Sequence, residues 1–414
     1  MKVLWLCNMM PGVVKQAITG KEGNGLWVDH VLHDLRKQAD LEIRVLCPGT
    51  PHQIGALDAS CSYSTFRTKA PYTYLPEVES QFRQELKAYQ PDVIHIWGTE
   101  YAHTLAMVNA AEQEAMVNRV VVSIQGLCSI HAGHYAEGVP QSVIRGKTLR
   151  DLLRQDDIPR QQKKFALRGK LEVQALRKVS HVIGRTVWDK ACTNQINPQA
   201  AYHFCNETLR RAFFDHQWDF SSCTRYNIFA SSCVYPVKGF HYLLEAFAEV
   251  VKAYPDATLS VPGKSYLTVS PLRCSSYQKY LAKLTRQYGL EDKIEFLGSL
   301  SAEGMKDAYL KANVFVLPST IENSPNSLGE AMLLGVPCVA ADVGGVTTMM
   351  THETEGFVYQ STAPYMLAHY IKNVFAMGER AAAMGQAARA HARKTHDPET
   401  NLRDLLGIYE EIAT

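Results

Sequence analysis

The chain has 414 residues, a net charge of +2, ten cysteines and 46% apolar residues. That length exceeds one ordinary core and predicts two domains of about 200 residues, while the near-neutral charge excludes a general nucleic-acid binder and no run reaches the roughly 18 apolar residues of a membrane span. The cysteines are scattered without a C-x-x-C pair, which fits reduced thiols in the cytosol better than disulfides or a zinc site.

In chain order, residues 3–7 predict a buried strand rather than a signal peptide, because Pro11-Gly12 follows at once. Residues 8–25 read as a loop whose Gly20, Gly23 and Gly25 let backbone approach a ligand, and a helix follows over 26–38. The glycine spacing G-x-x-G-x-G is not the dinucleotide fingerprint. Strands follow at 41–46, 92–97 and 120–124. Glu100 and His103 come after the second of these and Gln125 after the third, at the carboxyl ends where open α/β sheets bind ligands. From Arg145 to Lys170 the chain is rich in Arg and Lys with Leu149, Leu152, Leu153 and Phe165 interleaved. Such a run is either a solvated helical face or a surface for anionic lipid or a lipid-diphosphate acceptor. A strand at 179–183 follows, and the pattern breaks down over 215–224, which places a linker there.

The second half opens with a strand at 226–231 and Y-P-V-K-G, which sets Lys238 before an amphipathic helix over 240–253. Lys264 follows a strand at 258–261, and Gly298-Ser299 end another at 293–297. After a helix over 302–312, residues 313–345 read as strand, helix and strand, a unit that implies a parallel sheet. Ser324 is the expected N-cap, with Pro325 at the first helical position. The amides of Asn326, Ser327 and Leu328 would then be free for a phosphate. Glu322 lies in the loop before that end and Glu330 on the helix, so both carboxylates can accept from paired sugar hydroxyls in one crevice. Helical patterns over 363–392 and 401–412 close the chain. The sequence offers no D-x-D and no close His/Asp cluster for a divalent ion.

The string I-E-N-S-P-N-S-L-G-E-A-M-L-L-G, the Y-P-V-K-G before it and the G-R-T-x-W-D at 184–189 resemble the retaining GT-B glycosyltransferases of family 4, in their polysaccharide branch. The resemblance implies an α/β fold of two Rossmann-like domains facing a central cleft. Residues 1–218 would bind the acceptor, 219–396 the nucleotide sugar, and 397–414 would form a helix crossing back to the first domain. It implies that Glu322 faces the transferred sugar, Glu330 holds the ribose, and amides near Asn326, Ser327 and Leu328 take the diphosphate. Lys238 would neutralise the donor phosphates, Gly298 and Ser299 accommodate the base, and the loop holding Gly25 face the diphosphate. Glu100, His103 and Gln125 would face acceptor or sugar. Two positions depart from the pattern: Gln125 stands where relatives carry a histidine, and Ser232-Cys233 where they carry an arginine. Lys264 is the substitute cation this chain offers. The implied activity is retaining, metal-independent and cofactor-free transfer of a sugar from a UDP- or GDP-linked donor to a saccharide or lipid-linked acceptor. Surface polysaccharide synthesis would be its setting, with a cytoplasmic location and peripheral membrane contact through Arg145 to Lys170. The alternatives are a GT-B epimerase or phosphorylase, and a degenerate GT-B subunit that binds a partner or nucleotide without turnover.

Overall fold

Strand β1 (Lys2–Cys7) shows how the apolar runs of this chain are used. Leu4 and Leu6 enter one core with Phe82, Leu86 and Met107, while Val3, Trp5 and Cys7 enter another with Leu32, Leu405 and Tyr409. Side chains alternate across a strand, so a sheet buried on both faces needs an unbroken apolar run. The computed structural model describes residues 1–21, 27–270 and 272–414; Gly23 and Gly25 lie outside the described residues.

The chain forms two units: Met1–Ala132 with Lys164–Arg210 and His396–Thr414, and Gly133–Lys163 with Arg211–Thr395. In the first, β1 is joined by β2 (Glu42–Pro48), β3 (Ile54–Ala56), β4 (Cys61–Phe66), β5 (Val93–Trp97), β6 (Val120–Ser123), β7 (His181–Gly184) and β8 (Ala201–Phe204). Their order is β3-β4-β2-β1-β5-β6-β7-β8, all parallel except β3 against β4. In the second, β9 (Asn227–Phe229), β10 (Thr258–Val261), β11 (Ile294–Phe296), β12 (Val314–Leu317), β13 (Cys338–Asp342) and β14 (Phe357–Gln360) make a parallel sheet ordered β11-β10-β9-β12-β13-β14. Helices connect the strands, as parallel pairing requires. This is the two-domain α/β class expected from the sequence.

Several local expectations are corrected. The stretch 8–25 was expected to be loop but contains a helix, Gly12–Thr19, in which Val14 is buried. The hairpin β3–β4 has no counterpart in the sequence reading; β3, I-G-A, is too short to show a period. Residues 215–224 do not form a free linker: Trp218 is buried, its indole Nε1 donates to the Ala312 carbonyl at 2.7 Å and its amide to Leu334 at 2.7 Å. The second unit comprises Gly133–Lys163 and Arg211–Thr395. The basic run from Arg145 to Lys170 is thereby divided between the units.

The helix Pro398–Ala413 belongs to the first unit. Trp5 Nε1 donates to Tyr409 Oη at 2.9 Å, Tyr409 Oη lies 2.6 Å from His95 Nδ1, and His95 Nε2 lies 2.7 Å from Ser123 Oγ. This chain is fully buried, and burial pushes the His95 imidazole down to about 3, so it is a neutral link. Among the described residues no helix is long and apolar enough to cross a membrane, and the ten cysteines are free thiols.

Candidate functional site

In a parallel sheet every strand's carboxyl end lies on one edge. The second unit thus carries Lys238 after β9, Lys264 after β10, Gly298 and Ser299 after β11, Glu322 after β12 and Gly344 after β13 along the same edge. Backbone contacts then bring two of these groups together. Thr320 donates its amide to Val237 at 2.9 Å, and Gly239, at φ 64°, is so close to β12's end that an added Cβ would stand 1.8 Å from the Pro318 carbonyl oxygen. Only glycine fits there. The result is Lys238 Nζ donating to Glu322 Oε1 at 2.6 Å, with Ser319 Oγ donating to the same oxygen at 2.7 Å. From the other side Gly345 donates its amide to the Glu322 carbonyl at 3.2 Å, and a Cβ on Gly344 would lie 1.7 Å from that carbonyl.

The helix that follows Glu322 is Asn326–Leu334, capped by Pro325 rather than Ser324. Pro325 has extended backbone (ψ 115°), which moves the helix start one residue on, and Ser324 Oγ turns instead to Met349 Sδ at 3.6 Å. Leu328 donates its amide to the Pro325 carbonyl at 3.0 Å, so of the three amides expected to be free, this one is taken. Asn326 and Ser327 remain as the first amides of a helix end that favours anions. Glu330 is buried one turn further on, and Tyr309 Oη donates to the Ser327 carbonyl at 2.9 Å, holding that turn. Gly263 and Gly298 exchange backbone hydrogen bonds at 2.7 and 3.1 Å, which fixes the ends of β10 and β11 side by side. Lys264 and Ser299 are exposed beyond them, and Lys264 makes no ion pair among the described residues.

In the first unit a cavity of about 280 Å³ is lined by Asn8, Met9, Glu100, Tyr101, Gln125 and Arg168, among others. His103 is buried behind it: its Nε2 donates to Asn8 Oδ1 at 2.8 Å, which leaves Asn8 Nδ2 to donate to Glu100 Oε2 at 2.9 Å. Burial pushes His103 down to about 3, so it is a neutral donor that orients Asn8. Burial pushes the Glu100 carboxyl up to about 7; Arg168 opposes the rise and Glu172 adds to it. Arg168 Nε donates to the Glu100 carbonyl at 2.6 Å, and one turn along the same helix Glu172 accepts from the amides of Cys128 and Ser129, both at 3.0 Å.

Gln125 donates Nε2 to Glu207 Oε1 at 2.5 Å, and Glu207 forms a buried ion pair with Arg185 at 2.6 Å. A carboxylate can only accept, so the amide is oriented with its other atom, the acceptor Oε1, left for the cavity. Glu100 and Gln125 are thus brought to one cavity, and His103 supports it from behind. Asn8, Arg168, Arg185 and Glu207 were not singled out from the sequence as site residues. Arg185 stood in the noted G-R-T, whereas Glu207 has no local signal. The sequence also hid a cluster assembled by the pairing of β7 with β8 and by the helix Pro398–Ala413: His181, His203 and Glu411 offer ligand atoms within 4.8 Å of one another, and His181 Nδ1 lies 3.0 Å from His203 Nε2.

Comparison with solved structures gives the GT-B fold over the whole chain. Sucrose-phosphate synthase from Thermosynechococcus elongatus matches 100% of this chain and 99% of its own, with TM-score 0.71 and 17% identity. HepE of Anabaena, solved in complex with UDP-glucose, matches 99% of this chain and 100% of its own, with TM-score 0.67 and 18% identity. Residues 221–391 match the family described as Glycosyl transferases group 1. Among curated proteins, a D-inositol 3-phosphate glycosyltransferase of Segniliparus rotundus is 31% identical over 160 residues, 38% of this chain and 34% of the relative. The matched stretch thus spans about a third of that relative's length.

Proposed function

We propose that the protein transfers a sugar, with retention of configuration and without a metal, from a UDP- or GDP-linked donor to a hydroxyl of a saccharide or lipid-linked acceptor in surface polysaccharide synthesis. The observation that carries this reading is the Lys238–Glu322 pair, held by backbone contacts four residues before a helix end with open amides. The family match over 221–391 contains every residue of this group, and the UDP-glucose complex of HepE supports a nucleotide-sugar donor.

The donor diphosphate takes the Asn326 and Ser327 amides, and the Lys238 ammonium leaves Glu322 for the phosphate oxygens. As the sugar–phosphate bond breaks, charge grows on the departing diphosphate, and the ammonium and helix end stabilise it. Glu322, released from the ion pair, accepts from hydroxyls of the transferred sugar. Glu330 accepts from the ribose, and the backbone at Gly298 and Ser299 receives the base. The acceptor hydroxyl approaches on the face of the leaving diphosphate, whose oxygen takes its proton, so no protein base is required. Gln125 then serves as a hydrogen-bond acceptor toward acceptor or sugar in the Glu100 cavity.

Thermal shift with a panel of UDP- and GDP-sugars tests this. A true donor at about 100 times its Kd stabilises the fold by ~2.7 kcal/mol. Glu330→Gln should lose most of that shift. No shift from any sugar nucleotide refutes the donor reading, and a full shift in Glu330→Gln refutes the ribose contact alone.

A further inference from the structure

The helix Ser276–Gln287 buries Tyr277, Leu281, Leu284 and Thr285 and turns Lys279, Lys283 and Arg286 outward. Their spacing of i, i+4 and i+7 makes one cationic face. Lys147 adds a fourth cation, and the four line a pocket of about 510 Å³ with Ser142, Thr148 and Tyr280; among the described residues no carboxylate lines it. Among the described residues none of the four cations makes an ion pair, whereas neighbouring Arg150 is held by Asp151 and Asp156, and Arg160 by Asp157.

Beside the pocket, the helix Leu149–Arg154 leaves Leu149, Leu152 and Leu153 exposed at 51%, 52% and 76%. Positions i, i+3 and i+4 lie on one helix face, so the leucines form a single apolar ridge. The ridge and the cationic face are fastened together. Asp151 is fully buried; it accepts the Ser276 amide at 2.8 Å, at the start of the cationic helix, and the Thr148 amide at 3.3 Å. All of these residues belong to the second unit.

We infer that this face docks on an anionic phospholipid bilayer, with lipid phosphates in the Lys147–Lys279–Lys283–Arg286 pocket and the Leu149–Leu152–Leu153 ridge among the acyl chains. Unpaired cations beside an exposed apolar ridge match the two layers of such a surface, phosphate outside and hydrocarbon beneath. A soluble polyanion has no use for the ridge. The sequence left Arg145 to Lys170 open between a solvated helical face and a lipid-facing surface; the docking face omits residues 164–170 and recruits the helix at 276–287. It does not rest on the sugar-transfer reading, and either can fail without the other.

Flotation of the full chain with phosphatidylglycerol–phosphatidylcholine vesicles, against pure phosphatidylcholine vesicles, tests the inference. Binding is expected only to the anionic vesicles and is expected to weaken with salt. A triple variant, Lys279→Gln, Lys283→Gln and Arg286→Gln, should lower the partition coefficient on the order of 100-fold, taking about fivefold per neutralised cation. Leu152→Ser with Leu153→Ser should abolish flotation while leaving the thermal transition near that of the parent. Arg403→Gln, an exposed cation 74% accessible on another unit, should float like the parent. Equal binding to both vesicles, full binding by either patch variant, or binding to soluble polyphosphate that the leucine variant retains in full would overturn the inference.

Discussion

Gly239→Ala is the substitution whose effect follows most directly from the geometry of the proposed donor site. Gly239 has φ 64° and a Cβ there would stand 1.8 Å from the Pro318 carbonyl; Gly289 has the same φ of 64° with nothing within 4 Å. Alanine in the left-handed region costs about 1–2 kcal/mol at either place. Only at 239 is there a further overpacking cost, about 1–3 kcal/mol, because carbonyl and turn must separate. The two variants should therefore differ by that second amount, roughly 2–12 °C in Tm for a unit of this size. Separation of the turn from β12 also draws Lys238 from Glu322, so Gly239→Ala should lose the donor-induced thermal shift while Gly289→Ala keeps it. Scanning fluorimetry with and without sugar nucleotide measures both. Equal Tm values for the two variants, with the shift intact in each, would refute the claim that the Gly239–Pro318 approach builds the site.

Lys238→Ala should lower turnover about 10²–10³-fold, the usual loss for a group that stabilises developing charge. Lys264→Ala does the same only if Lys264 replaces the missing arginine; unchanged turnover and donor affinity make it a surface residue. Arg185→Met strands the buried Glu207 and should destabilise by about 3–5 kcal/mol, with Glu207→Gln added in the same chain recovering part of the loss; a double variant no more stable than the single would contradict a buried ion pair. Glu100, raised from its ordinary 4.5 to about 7, holds a proton in the folded state that it releases when unfolded. Its contribution to stability is full below 4.5 and is lost as pH rises through about 7. Glu100→Gln should therefore be more stable than the parent at about pH 8 and equal to it at about pH 4, and denaturation curves at the two pH values check the sign.

What the sequence made legible divides by range. The helix Phe240–Ala253 and the strand Thr258–Val261 match their patterns to the residue, because amphipathic period and apolar run are local signals. The helix start at Asn326 was displaced by one, since Pro325 suits both the cap and the first helical position and only its ψ decides between them. Long-range partners were out of reach. Glu207 lies 82 residues beyond the Gln125 it orients, and nothing in N-E-T marks it as a site. Lys238 and Glu322 were each expected at the site, 84 residues apart, yet their ion pair depends on backbone carbonyls that no side-chain pattern encodes.

The two glycines beside that pair show where the boundary runs. The sequence draws attention to Lys238 for its charge rather than to Gly239 for its missing Cβ, and a missing Cβ does not name what occupies its place. At Gly239 it is the Pro318 carbonyl and at Gly344 the Glu322 carbonyl, so both glycines serve to clamp the loop that follows β12. That loop is therefore fixed by the chain's own backbone. Its acid and the lysine beside it neutralise each other, which keeps a buried carboxylate satisfied. In the proposed reaction a donor diphosphate would offer the ammonium a better partner and the carboxylate a set of hydroxyls, so binding would exchange one satisfied arrangement for another and leave neither charge bare.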